Sequence, residues 1–134
     1  MKLPDLPKKL NKRESLWSTK IFRLWALEHF SYTAIFEIKY ARKDSLPFSD
    51  VKEGQVAKML KIRHDKFLWK NPDTGMETPP DFFLLVQEPT FVVIKYPKGV
   101  AIIPIDVWCL ESSRSKRRSL TYARAMEIST IDFK

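Results

Sequence analysis

Apolar positions along this 134-residue chain change period several times, and each change predicts an element. From Arg13 to Phe30, residues Trp17, Ile21, Leu24 and Trp25 follow at intervals of four, three and one, the stripe of a helix with one buried face. Over Thr33 to Tyr40 the period drops to two. Phe36, Ile38 and Tyr40 alternate with Glu37 and Lys39, so a strand is expected with apolar residues on one face and the charged pair on the other. A loop from Ala41 to Phe48 carries Arg42, Lys43 and Pro47. Ser49 or Asp50 then stands where it can cap a second helix, whose core face is Val51, Val56, Met59, Leu60 and Ile62, up to about Arg63. Glu53 falls in its first turn, where the helix dipole favours a carboxylate.

Asp65 to Pro80 reads as an inserted loop, because Asn71-Pro72-Asp73-Thr74-Gly75 is a turn sequence and Pro79-Pro80 enforces extended backbone. Three runs rich in Val, Ile and Phe follow, Phe82 to Gln87, Thr90 to Tyr96 and Val100 to Trp108. Glu88-Pro89 and Pro97-Lys98-Gly99 divide them, which predicts a β-meander. Pro104 points to an edge strand or a bulge, since proline donates no ladder hydrogen bond. Ser112 to Arg118 is a Ser/Arg/Lys segment, and Ser119 is expected to cap a short helix to about Ile128. Met1 to Lys12, with Pro4, Pro7 and four lysines, reads as an irregular basic arm. That leaves residues 13–134 as one α/β domain with a basic C-terminal segment, a length sufficient for one core.

Charge narrows the partners. Lys and Arg number 24 against 16 Asp and Glu, a formal charge of +8, which favours a polyanion and nucleic acid above all. The single Cys109 has no partner for an internal disulfide, and no Cys/His array has zinc-site spacing, so a reducing, cytoplasmic setting is expected. No apolar run approaches 18 residues and Met1 to Glu14 is mostly polar, so neither a membrane partner nor a signal peptide is expected. His29 and His64 lack companions at ligand spacing and read as ordinary surface or packing residues.

The charged pair is the candidate chemistry. On a strand Glu37 and Lys39 project together, roughly 6–7 Å apart, among Ile, Phe and Tyr side chains. Burying them is costly without a partner such as a metal ion or a phosphate. The bland alternative is a solvated pair on the open face of a sheet.

A helix with an early Glu14, a strand bearing Glu37-x-Lys39, a basic loop and a helix containing Glu53-Gly54-Gln55 resembles the PD-(D/E)xK nuclease superfamily. Within it the chain is most similar to Holliday junction resolvases of the RecU and archaeal Hjc type and their phage relatives. The stretch FEIKYARKDSLPFSDVKEGQVAKML, Phe36 to Leu60, carries the likeness, and TFVVIKYPKGVAIIPIDVW resembles the closing strands of that fold. The resemblance implies a restriction-endonuclease-like fold, with a central mixed β-sheet flanked by helices. It implies an endonuclease that depends on Mg²⁺ or Mn²⁺ and cuts phosphodiester bonds at Holliday junctions or other branched DNA. A homodimer follows from cutting two strands symmetrically, and a phage-encoded enzyme acting in the host cytoplasm fits the same likeness.

By that resemblance Glu37, Lys39, Gln55 and Asp81 are the catalytic candidates, with Glu37, Asp81 and Glu14 as metal ligands. Hard cations take carboxylate oxygens and water, and a neighbouring lysine stabilises charge developing on the phosphate. Gln55 matches the family's helix glutamine and is placed to hydrogen-bond Lys39 or a phosphate. Arg42, Lys43, Arg114, Lys116, Arg117 and Arg118 are the expected DNA-phosphate contacts, which position a duplex without reading its sequence. One departure stands out. The family's Asp precedes Glu-x-Lys on a neighbouring strand, and here the first helix runs almost straight into the Glu37 strand. Asp81, after Pro80, can supply the missing ligand from a rearranged position if the Phe82 strand lies beside the Glu37 strand. A rival pairing of Asp81 with Lys95 lacks the middle carboxylate. The displaced Asp keeps a second function open, a non-catalytic DNA-binding protein that retains the nuclease fold.

Overall fold

The computed structural model describes residues 17–70 and 82–131. A π-helical turn, Trp17–Phe22, runs straight into helix α1 (Arg23–His29). Strands β1 (Ile35–Tyr40) and β2 (Ser45–Pro47) follow, then a 3₁₀ turn (Phe48–Asp50) and helix α2 (Glu53–His64). Next come β3 (Lys66–Lys70), β4 (Phe82–Val86), β5 (Thr90–Lys95) and β6 (Val100–Pro104). Helix α3 (Ile105–Arg114), strand β7 (Ser119–Thr121) and helix α4 (Tyr122–Ile128) complete an α/β structure with a mixed sheet.

Strand β5 is the axis of the sheet, in the order β1-β5-β6. It runs parallel to β1, with Glu37 opposite Val92 and Lys39 opposite Ile94, and antiparallel to β6, with Val92 opposite Ile103. Every residue of β5 is buried, as a strand covered on both faces requires, and this explains its unbroken Phe-Val-Val-Ile run. On one face Val92, Ile94, Ala101 and Ile103 join Met59 of α2 with Ile105 and Trp108 of α3. On the other, Phe91, Val93 and Ile102 join Trp17, Phe22 and Trp25.

The first helical stretch departs from the expected stripe in one position. Trp17, Ile21 and Trp25 are buried, but Leu24 is 51% exposed and Phe22 is buried in its place. A π turn spends more residues per turn than an α-helix, so it rotates the positions that follow it and exchanges Phe22 for Leu24 on the inner face.

The meander is corrected. Strand β5 has two edges, taken by β1 and β6, so β4 pairs instead with β3 in a separate antiparallel ribbon, with Trp69 opposite Phe83. Residues 66–70, assigned to a loop from sequence, supply that partner. Between β4 and β5 the chain turns at Gln87, whose φ of 48° is left-handed, and whose N–H donates to the Asp65 carbonyl at 3.0 Å. The third run is also shorter than expected. Pro104 ends β6 on the edge of the sheet, as its missing donor predicts, and its fixed φ leads into α3 at Ile105. The helix caps shift likewise. Lys52 rather than Ser49 or Asp50 is the N-cap of α2, and Thr121 rather than Ser119 caps α4, its hydroxyl accepting from the Arg124 N–H. Ser119 sits in β7, which pairs antiparallel with β2.

One glycine is required by a close approach. At the β5–β6 turn, a Cβ on Gly99 would stand 2.8 Å from the Tyr122 hydroxyl, so the ring of α4 packs directly on the backbone there.

Candidate functional site around Glu37, Lys39 and Gln55

Strand β1 lies at the border of the three-stranded sheet and all its residues are half-buried. Its alternation holds. Phe36 and Ile38 pack into the cluster below α1, and the register sets Glu37 and Lys39 beside Val92 and Ile94 on the α2 side. Lys39 Nζ lies 3.2 Å from Glu37 Oε1, with the two side chains 18% and 28% exposed, so the pair is largely withdrawn from water without being sealed off.

Gln55 joins them from the first turn of α2. Its Oε1 accepts the Lys52 backbone N–H at 3.0 Å, reaching back from the third helical position to the cap. Because the oxygen is committed to that N–H, the amide presents Nε2 outward, and it donates to Glu37 Oε1 at 2.9 Å. The Gln55 hydrogen bond and the Lys39 ion pair therefore converge on one carboxylate oxygen. Among the described residues no hydrogen bond reaches Glu37 Oε2. The sequence placed Gln55 in the site but pointed to Lys39 or a phosphate as its partner. The capping-box spacing is the signal that fixes which way its amide points.

Two expected ligands, Glu14 and Asp81, lie outside the described residues, as do the basic arm and Asp73. The strand that follows Asp81 does not pair with β1, because the β1 edge inside the sheet is occupied by β5 and β4 is matched to β3. Lys95 projects with Phe91 and Val93, on the face opposite to Glu37 and Lys39, and its rival pairing with Asp81 falls outside the described residues. Among the described residues no three His, Cys, Asp or Glu side chains converge as a metal-binding group. Glu37 itself suits a hard cation, as a half-buried carboxylate with one oxygen tethered by Gln55 and the other without a hydrogen bond among the described residues.

The basic candidates are exposed and are organised by the β2–β7 ribbon. The Phe48 N–H donates to the Arg118 carbonyl at 3.0 Å, and the Tyr122 N–H to the Asp44 carbonyl at 2.7 Å. Arg42 and Lys43 thus enter the ribbon at one end, and Lys116, Arg117 and Arg118 at the other. Arg114 closes the last turn of α3. Leu46 and Leu120 anchor this ribbon in the same cluster as Val92 and Ile94, so it stands on the Glu37 side of the sheet.

His64 has a partner that the sequence did not announce, since its Nε2 is 2.6 Å from Asp106 Oδ1, an exposed contact between α2 and α3. Glu111 and Arg124 brace α3 to α4 through two hydrogen bonds of 2.8 and 3.0 Å. The Arg124 hydrogen bonds hold the Glu111 carboxyl below its usual range. A groove of about 710 Å³ runs past Phe22, Leu27, Ile35, Phe36, Trp69 and Phe83, on the face of β1 opposite to the charged pair. No helix of the described residues is long and apolar enough to cross a membrane.

Compared with protein families, curated proteins and solved structures, the chain matches none.

Proposed function

We propose that this chain is a metal-dependent, structure-selective DNA endonuclease of restriction-endonuclease-like fold, acting as a homodimer on Holliday junctions or other branched DNA. The single observation that carries the reading is the constellation on one face of β1, where Lys39 and Gln55 both meet Oε1 of Glu37 and no hydrogen bond reaches Oε2 among the described residues. In this reading Glu37 holds Mg²⁺ or Mn²⁺, and Glu14 and Asp81, both outside the described residues, are proposed to complete the ligand set, Asp81 without the pairing of its strand to β1 that was expected to bring it there. Such a cation, when bound, neutralises phosphate charge and makes a neighbouring water more acidic. Lys39 stands beside the carboxylate, where it stabilises charge developing on the phosphate. Gln55 orients Glu37, and the exposed cations of the β2–β7 ribbon hold the duplex backbone.

The second reading, a DNA-binding protein without catalysis, is favoured by the pairing of β4 with β3, which leaves the strand that follows Asp81 unpaired with the Glu37 strand. Cleavage assays with the purified protein separate the two. With Mg²⁺ present, the expected result is nicking of four-way junctions in preference to linear duplex. Glu37→Gln should abolish cleavage while junction binding stays within about twofold, and Lys39→Ala should lose cleavage with only a modest loss of binding. Undiminished cleavage by Glu37→Gln, or none by the wild type, sinks the endonuclease.

A further inference from the structure

The β3–β4 ribbon exposes an outer face that the Glu37 site does not use. In an antiparallel pair, residues directly opposite one another share a face. Phe67 and Trp69, opposite Leu85 and Phe83, form the inner face, where Lys58 of α2 lies 5.7 and 5.2 Å from the Phe67 and Trp69 ring centres. The outer face holds Leu68, Phe82, Leu84 and Val86, exposed by 61, 56, 56 and 43%, between Lys66 and Lys70. Four contiguous apolar side chains so exposed form a patch of the kind that marks a docking surface.

Charge decides the occupant. Every ionisable side chain on the described strands of this ribbon is a lysine, and Lys61 approaches the same edge beside Lys66. A second copy would bring Lys66 and Lys70 against lysines of its own, which opposes a self-complementary contact. Duplex DNA offers phosphates and sugars to such a face and leaves its apolar residues unmatched. An unpaired nucleic-acid strand offers both parts, phosphates for the lysines and base faces for Phe82 and its aliphatic neighbours. We infer that the outer face of the β3–β4 ribbon binds unpaired, single-stranded nucleic acid. The inference takes nucleic acid as the partner from the proposed function but does not depend on cleavage, so it is tested without metal.

The probes are a labelled dT20 oligonucleotide and a 20-base-pair duplex, titrated by anisotropy in EDTA, with the double variant Phe82→Ser/Leu84→Ser. Both residues are exposed, so the far-ultraviolet dichroism and thermal midpoint should stay those of the wild type. Affinity for dT20 should fall at least about tenfold while duplex affinity changes less than about twofold. Lys66→Ala/Lys70→Ala, with the apolar residues intact, should lower the salt slope for dT20 by about 1.4, or about 0.7 for each phosphate that a lysine no longer neutralises. Unchanged dT20 affinity in both variants overturns the inference. So does a wild-type dimer in sedimentation that becomes monomeric with Phe82→Ser/Leu84→Ser, or loss of binding to phosphatidylserine vesicles alone.

Discussion

Gln55 Nε2 reaches Glu37 Oε1 at 2.9 Å, linking the first turn of α2 to the middle of β1 across 18 positions of sequence. The bond is directional because Gln55 Oε1 is held by the Lys52 N–H. Glu37 is thereby kept in one orientation, with Lys39 on the same oxygen. An outer partner that fixes a ligating carboxylate is typically worth about 10- to 100-fold in metal affinity. Gln55→Ala should therefore weaken Mn²⁺ binding, measured by titration calorimetry, by a factor of that order. Its thermal midpoint should fall only modestly, since one exposed cap bond and one half-buried hydrogen bond to Glu37 are removed. Unaltered Mn²⁺ affinity would reduce Gln55 to a helix-start residue.

Arg117 and Arg118 are exposed at the head of β7, where the Arg118 carbonyl is tied to Phe48. If they lie on phosphates, Arg117→Ala/Arg118→Ala should weaken binding to all duplex sequences alike. The slope of log affinity against log salt should fall by about 0.9 for each phosphate that an arginine no longer neutralises. An unchanged slope would make them a solvated connection between α3 and β7.

Asp81 is tested through chemistry, since it lies outside the described residues. Asp81→Asn should be as inactive on junctions as Glu37→Gln and should also lower Mn²⁺ affinity, because both are assigned to one cation. Full activity would leave the second ligand to Glu14 or Glu53.

The legible and illegible parts of this chain divide along physical lines. Period-two alternation announced β1 and the face that Glu37 and Lys39 share, because apolar and charged side chains alternate along a strand whose residues are all half-buried. The fully apolar run of β5 announced a strand but not its neighbours. Its parallel match to β1 joins positions 55 residues apart in the chain, as in Ile35 with Thr90, and no local signal encodes a pairing of that range. Lys66–Lys70 escaped notice because a short strand with one half-buried residue among exposed ones carries no alternation against a core. Helix α3 was hidden because Ile105, Val107 and Trp108 extend the apolar run of β6 past Pro104, and only the proline marks the change of period. In the site, Gln55 was found by its place in a motif, while its true partner depended on how α2 lies across the sheet.

Lys95 gives a prediction in pH. It is buried at the end of β5, its Nζ donating to the Tyr96 carbonyl at 2.5 Å, and burial lowers its pKa below the ordinary lysine value. Below the native value both folded and unfolded chains carry the proton, and the fold bears the full cost of the buried ammonium. Between that lowered value and about 10.4 the unfolded chain binds more protons, so this residue's contribution raises stability as pH rises. Burial pushes the Tyr96 phenol, which donates to the Leu120 carbonyl, the other way, and its contribution falls above about pH 10. Comparing Lys95→Met with the wild type cancels that second effect. The Tyr96 carbonyl keeps the Gly99 N–H at 3.3 Å, so no buried acceptor is orphaned by the change. Urea midpoints should show Lys95→Met more stable than the wild type at pH 7, with the advantage shrinking towards pH 10. A difference that stays flat across that range would mean that Lys95 titrates alike in both states, and that its ammonium is better solvated than its place in β5 implies.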